Sequence, residues 1–130
     1  MRAEVGQVIG FWTEDVLNPS DEGGSYKYHL CVDAENGLHL FVCSRGYAFD
    51  YELPKSRCPG LSEPVSYVSL SRVIRRTTIP KKHRVACTVT DEYLRGLLDY
   101  LEDARALSPN DRWAIANGIA KHLNRSTRDP

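Results

Sequence analysis

The chain of 130 residues sets 17 Lys and Arg against 17 Asp and Glu, a formal net charge of zero. That balance excludes attraction of the whole molecule to nucleic acid or to an anionic membrane, so a polyanionic partner must be met by a local patch. With 42% hydrophobic and 26% charged residues the chain can bury enough side-chain surface to fold, and its length suits a single domain, residues 1–130.

Val5 to Trp12, VGQVIGFW, has the β-branched and aromatic content of a first strand. TEDVLNPSDEGGS follows as a long polar loop. Tyr26 to Val32 reads as a second strand, Asp33 to Gly37 as a hairpin turn, and Leu38 to Ser44 as a third strand. After Gly46, AFDYEL is a short strand with Phe49, Tyr51 and Leu53 on one side. The next segment is broken at Pro59, Gly60 and Pro64, and VSYVSLSRVIR resumes the alternation, although past Ser71 the SRVI stretch also suits the start of a short turn or helix. An edge strand is expected around His83 to Val89.

At Thr90 the period changes. Thr90 suits a helix N-cap, Asp91 and Glu92 suit the positive helix end, and Tyr93, Leu94, Leu97, Leu98 and Leu101 form an apolar face. An additional C-terminal helix is expected over 105–125, with Ser108, Pro109 and Asp111 at its start and Trp113, Ile115, Ile119 and Leu123 on its packing face. The final RSTRDP is expected to fray. Short strands followed by a helix hairpin predict a mainly β fold with C-terminal helices, built as a small, strongly curved, partly closed β barrel.

The cysteines Cys31, Cys43, Cys58 and Cys87 form no CxxC pair, and the N-terminus lacks the pattern of a signal peptide. A reduced, cytoplasmic protein is the expectation, with Cys31, Cys43 and Cys87 as small buried hydrophobes. No run approaches the roughly 18 apolar residues of a membrane span. No metal site and no cofactor is indicated: HExxH, the glycine-rich phosphate loop and GxSxG are all missing. Paired acids such as Glu14-Asp15, Asp21-Glu22 and Glu102-Asp103 read as solvated loop or helix faces.

Between Ser71 and Thr90 the chain carries Arg72, Arg75, Arg76, Lys81, Lys82 and Arg84 without an acidic residue. Leaving neighbouring strand ends, these charges either converge across a turn on a polyanion or form a solubilising edge. Tyr26, Tyr28, Tyr47 and Trp12 offer rings on which bases can stack. His29 and His39 sit in predicted strands, as polar residues on the solvent face of a half-covered sheet or, for His29 beside Lys27, as a partner for phosphate or ribose. His83 adds to the basic patch, and His122 reads as a surface residue. Ser44 and Arg45 end the third strand before Gly46, a geometry that suits a phosphate.

The order of these segments resembles the PemK/MazF family of toxin ribonucleases. VGQVIGFW is similar to the family's opening strand, with Gln7 where an acidic residue is usual. SYKYHLCV resembles the strand that begins with Arg-Pro, which puts Lys27 at the arginine position. LHLFVCSRGYAFDYEL resembles the strand ending in a hydroxyl residue, here Ser44, and the aromatic-rich strand after it. VSYVSLSRVIRRT and TDEYLRGLLDYL resemble the basic segment and the C-terminal helix.

The resemblance implies an SH3-like barrel of the PemK/MazF type that works as a homodimer. It further implies cleavage of single-stranded RNA without a metal, through the RNA's own 2′-hydroxyl, and restraint by an antitoxin protein. In the family the positions of Lys27 and Ser44 carry much of the catalysis; placement on adjacent predicted strands adds Arg45 beside Lys27 for phosphate stabilisation, gives Ser44 orientation or proton transfer, and makes His29 the candidate base. Lysine lacks arginine's two-pronged donor geometry, so a non-enzymatic RNA-binding or protein-binding module on the same fold stands as the alternative.

Overall fold

The computed structural model describes residues 2–12, 26–47 and 49–128. The polar loop expected over 13–25 lies outside the described residues, as do the acid pairs within it. The strands are β1 (Gln7–Trp12), β2 (Tyr26–Asp33), β3 (Leu38–Cys43), β4 (Tyr51–Pro54), β5 (Val65–Val68), β6 (Ile74–Arg75) and β7 (Arg84–Thr88), followed by α1 (Asp91–Tyr100) and α2 (Pro109–Arg128). They form an antiparallel sheet in the order β4-β5-β3-β2-β1-β7, curled into a half-barrel, with β6 paired to β3 beyond the end of β5.

Strand alternation divides the apolar residues between the two faces of the sheet. Val8, Leu30, Val32, Leu40, Val42, Leu53 and Val68 pack with Leu94, Leu97, Ile115 and Ile119 of the helices in the larger core. Ile9, Phe11 and Cys31 point the other way and pack with Ala3 and Ile79 in a smaller one. The sheet is therefore covered on both faces, by the helices on the inner side and by the N-terminus and the segment before β7 on the outer side.

The helix boundaries follow their caps. The Thr90 hydroxyl accepts the Tyr93 N–H at 3.2 Å, and the Ser108 hydroxyl accepts the Asp111 N–H at 3.1 Å. Because Ser108 caps α2 and Pro109 occupies its first turn, the helix starts later than the expected residue 105, and a 3-10 turn over Leu101–Asp103 ends α1. The helix also runs on to Arg128 where fraying was expected; Lys121 lies 3.7 Å from both Asp33 and Glu35, and Arg125 pairs with Glu35, tying this end to the β2–β3 turn.

Other expectations need correction. Phe49 is not in a strand: its φ is 75° and its side chain is 55% exposed. The Asp50 carboxylate accepts the N–H groups of Tyr47 and Leu70, holding a turn that delays β4 until Tyr51. His29 and His39 do not face solvent, because the outer face that alternation assigns them is covered; they are 0% and 1% exposed. Cys87 is not a free thiol but forms a disulfide with Cys58, 29 residues earlier. Cys31, buried, and Cys43, half-buried, are not in a disulfide. Among the described residues no helix is long and apolar enough to cross a membrane.

Candidate nucleic-acid interface

The sequence brings Tyr26, Lys27, Tyr28 and His29 side by side, and the strand separates them. Lys27 pairs with Phe11 and His29 with Ile9 and Phe41, all on the outer face. Tyr28 packs against the inner core, and Tyr26 meets it edge-on at 5.5 Å between ring centroids. One strand thus carries cation and imidazole on its outer side and phenols on its inner side.

On the outer face, aromatic rings form a floor and cations a roof. The Lys27 ammonium lies 6.0 Å from the centre of the Phe41 ring, and the Arg72 guanidinium lies 5.1 Å from the same centre. Arg76 lies 5.6 Å from the centre of the Phe11 ring. Such placements are each worth about 0.5–2 kcal/mol, more where water is excluded. Arg72 is brought there by its segment: the Ser69 N–H donates to the Phe41 carbonyl at 2.8 Å, and the Leu70 N–H donates to Asp50 at 3.1 Å.

Beneath this roof His29 stacks on Phe11, with centroids 4.5 Å apart and planes 3° from parallel, and meets His39 edge-on at 6.2 Å. Neither ring nitrogen of His29 has a hydrogen-bond partner at ordinary geometry. Burial first, then the charge of Arg76, pushes its pKa down to about 3, against a smaller opposing effect of the Ile9 backbone. Burial likewise pushes His39 down to about 4, although its Nδ1 lies 3.1 Å from the Gly37 carbonyl. Both rings are neutral at physiological pH. A buried His29 has no route to a substrate hydroxyl, so the arrangement gives no support to its use as a base.

Ser44 and Arg45 are exposed and make no hydrogen bond or ion pair among the described residues. Their turn folds against β5: a Cβ on Gly46 would collide with the Tyr67 ring, and Tyr67 itself pairs with Cys43. Since Val42 is opposite Tyr28, the chain leaving β3 emerges beside the start of β2. The turn also exposes Tyr47, 80% accessible, and Phe49. A hydroxyl, a guanidinium, an ammonium and exposed rings therefore share one end of the sheet.

The basic segment does not converge as one patch. Arg72 and Arg76 cover the outer rings, whereas Arg75 turns to α2 and lies 3.9 Å from Asp111. Lys81 and Lys82 are exposed in the turn before β7, and His83 binds the Pro80 carbonyl at 2.8 Å. Arg84 lies on the inner face, donating to the Tyr28 hydroxyl at 2.7 Å and to the Gly60 carbonyl at 2.8 Å. Phe11 and Phe41, the floor under the cations, give no sign of that role in the sequence beyond sharing odd-numbered outer positions with Lys27. Nothing in the sequence signals the Cys58–Cys87 pairing.

Among the described residues no group of three or more His, Cys, Asp or Glu is placed to hold a metal ion. Protein-family models, curated proteins and solved structures give no match to this chain.

Proposed function

We infer that this protein binds single-stranded RNA at the end of the sheet where β2 begins and β3 ends, on an SH3-like, partly closed barrel of the PemK/MazF type. The observation that carries the reading is the convergence of Lys27 and Arg72, from separate segments, over Phe41 beside the Ser44–Arg45 turn. Two cations over one ring suit a phosphodiester, and the rings nearby suit unpaired bases. A homodimer restrained by an antitoxin protein belongs to the same reading, through the sequence resemblance.

A second reading, toxin-type endoribonuclease activity, is favoured by the exposed Ser44 hydroxyl beside the start of β2. RNA brings its own 2′-hydroxyl nucleophile, so cleavage requires phosphate stabilisation and two proton transfers. Lys27, Arg45 and Arg72 are the candidates for the first and Ser44 for orienting the scissile group, while His29 drops out.

Incubating the protein with mixed-sequence RNA in EDTA, beside Lys27→Ala and Ser44→Ala, tests both readings. Binding without cutting establishes the first alone. Cutting that both substitutions abolish establishes the second, and equal cutting by all three proteins overturns these assignments. For binding, Lys27→Ala should lower the slope of log affinity against log salt by about 0.7, one single-strand phosphate contact. An unchanged slope removes Lys27 from the site.

A further inference from the structure

The inner face at the same end of the sheet holds a second aromatic group that the phosphate-binding cations do not use. Trp12 and Tyr26 are opposite each other across β1 and β2, with ring centroids 5.5 Å apart and planes at 80°. Tyr26 and Tyr28 meet at 5.5 Å and 76°. Trp12 is 47% and Tyr26 38% exposed, while Tyr28 sits deeper against the core.

The rings lie over Gly10. A Cβ there would stand 2.6 Å from Tyr28 Cε1 and 2.8 Å from Tyr26 Cε1, closer than side-chain atoms approach, so a glycine is what lets both phenols settle on the β1 backbone. Arg84, paired with Gly10 on β7, fixes the deeper end by donating to the Tyr28 hydroxyl and to the Gly60 carbonyl. Its guanidinium has five N–H donors, which leaves others for an incoming acceptor. Burial, and then the neighbouring Tyr28, raises the Tyr26 phenol above its ordinary pKa, so it remains a neutral hydroxyl.

We propose that Trp12, Tyr26 and Tyr28, floored by Gly10 and braced by Arg84, form a shelf that stacks a nucleobase of the single-stranded RNA whose phosphate lies at Lys27. The proposal rests on the RNA-binding reading above and adds the base subsite. Perpendicular rings make a corner that a flat heteroaromatic can enter, stacking on one ring and meeting the edge of the other. The phenol hydroxyls and Arg84 supply polar contacts at its rim. Because Lys27 and Tyr26 are consecutive and point to opposite faces of β2, an RNA strand passing the sheet's end sets a phosphate at Lys27 on one side and the base of a neighbouring nucleotide on the other.

Trp12 and Trp113 are the tryptophans of the chain; Trp113, on α2, lies away from the shelf, so Trp113→Phe leaves Trp12 as the fluorescent reporter. This protein is titrated with a 2′-O-methyl RNA 8-mer, which has no 2′-hydroxyl nucleophile and cannot be cut that way, and with an abasic ribose-phosphate oligomer of equal length. The RNA is expected to bind more tightly and to quench Trp12, and the abasic oligomer to do neither. Stacking is worth about 1–3 kcal/mol per base, so Tyr26→Leu should weaken RNA binding about tenfold and leave abasic binding unchanged, whereas Tyr26→Phe should stay within about twofold of wild type. Lys27→Ala should weaken both ligands alike. Circular dichroism and melting establish that each variant is folded, and the abasic oligomer reports the intact phosphate site in the same sample. Binding of RNA without quenching, with Tyr26→Leu equal to wild type, overturns the shelf and leaves the RNA reading standing. Failure of the wild type to bind either oligomer overturns both.

Discussion

His29 and His39 are kept neutral by burial under cations, and this fixes the sign of a pH dependence. Their folded pKa values, about 3 and about 4, lie below the ordinary 6.5. Below pH 6.5 the unfolded chain binds protons that the folded rings refuse, so stability is fully present above that value and is lost as pH falls towards 4 and then 3. Each ring contributes a slope of up to about 1.4 kcal/mol per pH unit in that window. The groups facing His29 reinforce the effect: Arg76, Lys27 and His39 all disfavour a charge there. Denaturant unfolding between pH 7 and pH 4.5 should show the loss in the wild type, and His29→Leu should show about half the slope. Equal slopes in the two proteins would mean that water reaches the ring and that the outer roof is open in solution.

At the scale of elements, the caps and periods that define α1 make a direct prediction. The Thr90 hydroxyl satisfies the Tyr93 N–H at the start of a helix whose Tyr93, Leu94 and Leu97 are buried. Thr90→Ala should therefore cost about 1 kcal/mol in urea unfolding, and Thr90→Ser much less; an alanine variant as stable as wild type would show that the cap contributes nothing. Such local signals explain which elements were legible in the sequence. The change of period at Thr90, the Ser108-Pro109 start and the alternation of β1 to β3 are all written within a few residues. The outer cover of the sheet is not, because His29 and Phe41 are buried by residues such as Arg72 and Arg76, more than 30 positions further on. Read alone, YKYHLCV has one wet face and one dry face. The long-range cover makes both faces dry at His29, and it also moves Arg72 from an expected edge patch onto an aromatic floor. Phe49 departs from the strand pattern for a related reason: its alternation with Tyr51 is clear, but the Asp50 carboxylate accepts the backbone N–H groups of Tyr47 and Leu70, and that turn outweighs strand propensity.

Across the whole molecule, the half-barrel leaves β4 and β7 as the two ends of its strand order, and no strand pairing joins them among the described residues. The loop after β4 closes the gap. Its backbone is shaped by Lys55, whose N–H donates to the Pro64 carbonyl at 2.9 Å and whose ammonium donates to the Pro59 and Leu61 carbonyls. Cys58 then reaches Cys87 on β7, and Gly60 packs so tightly on β7 that a Cβ would collide with the Ala86 carbonyl. Arg84 fastens the same loop through the Gly60 carbonyl. A covalent link, a backbone contact and a guanidinium clasp thus stand in for the hydrogen bonds of a closed barrel. Cross-linking residues 29 apart removes loop entropy from the unfolded chain worth about 3–4 kcal/mol. Cys58→Ser, or reduction of the wild type, should lower unfolding free energy by about that amount. Amide exchange should quicken first in β4 and β7, while β2 and β3, in the middle of the order, stay protected. Reduction that leaves both stability and edge-strand exchange unchanged would show that the Arg84 clasp and the apolar core hold the ends together unaided. A global acceleration without the edge preference would place the bond's effect in the unfolded chain and deny it a part in closing the sheet.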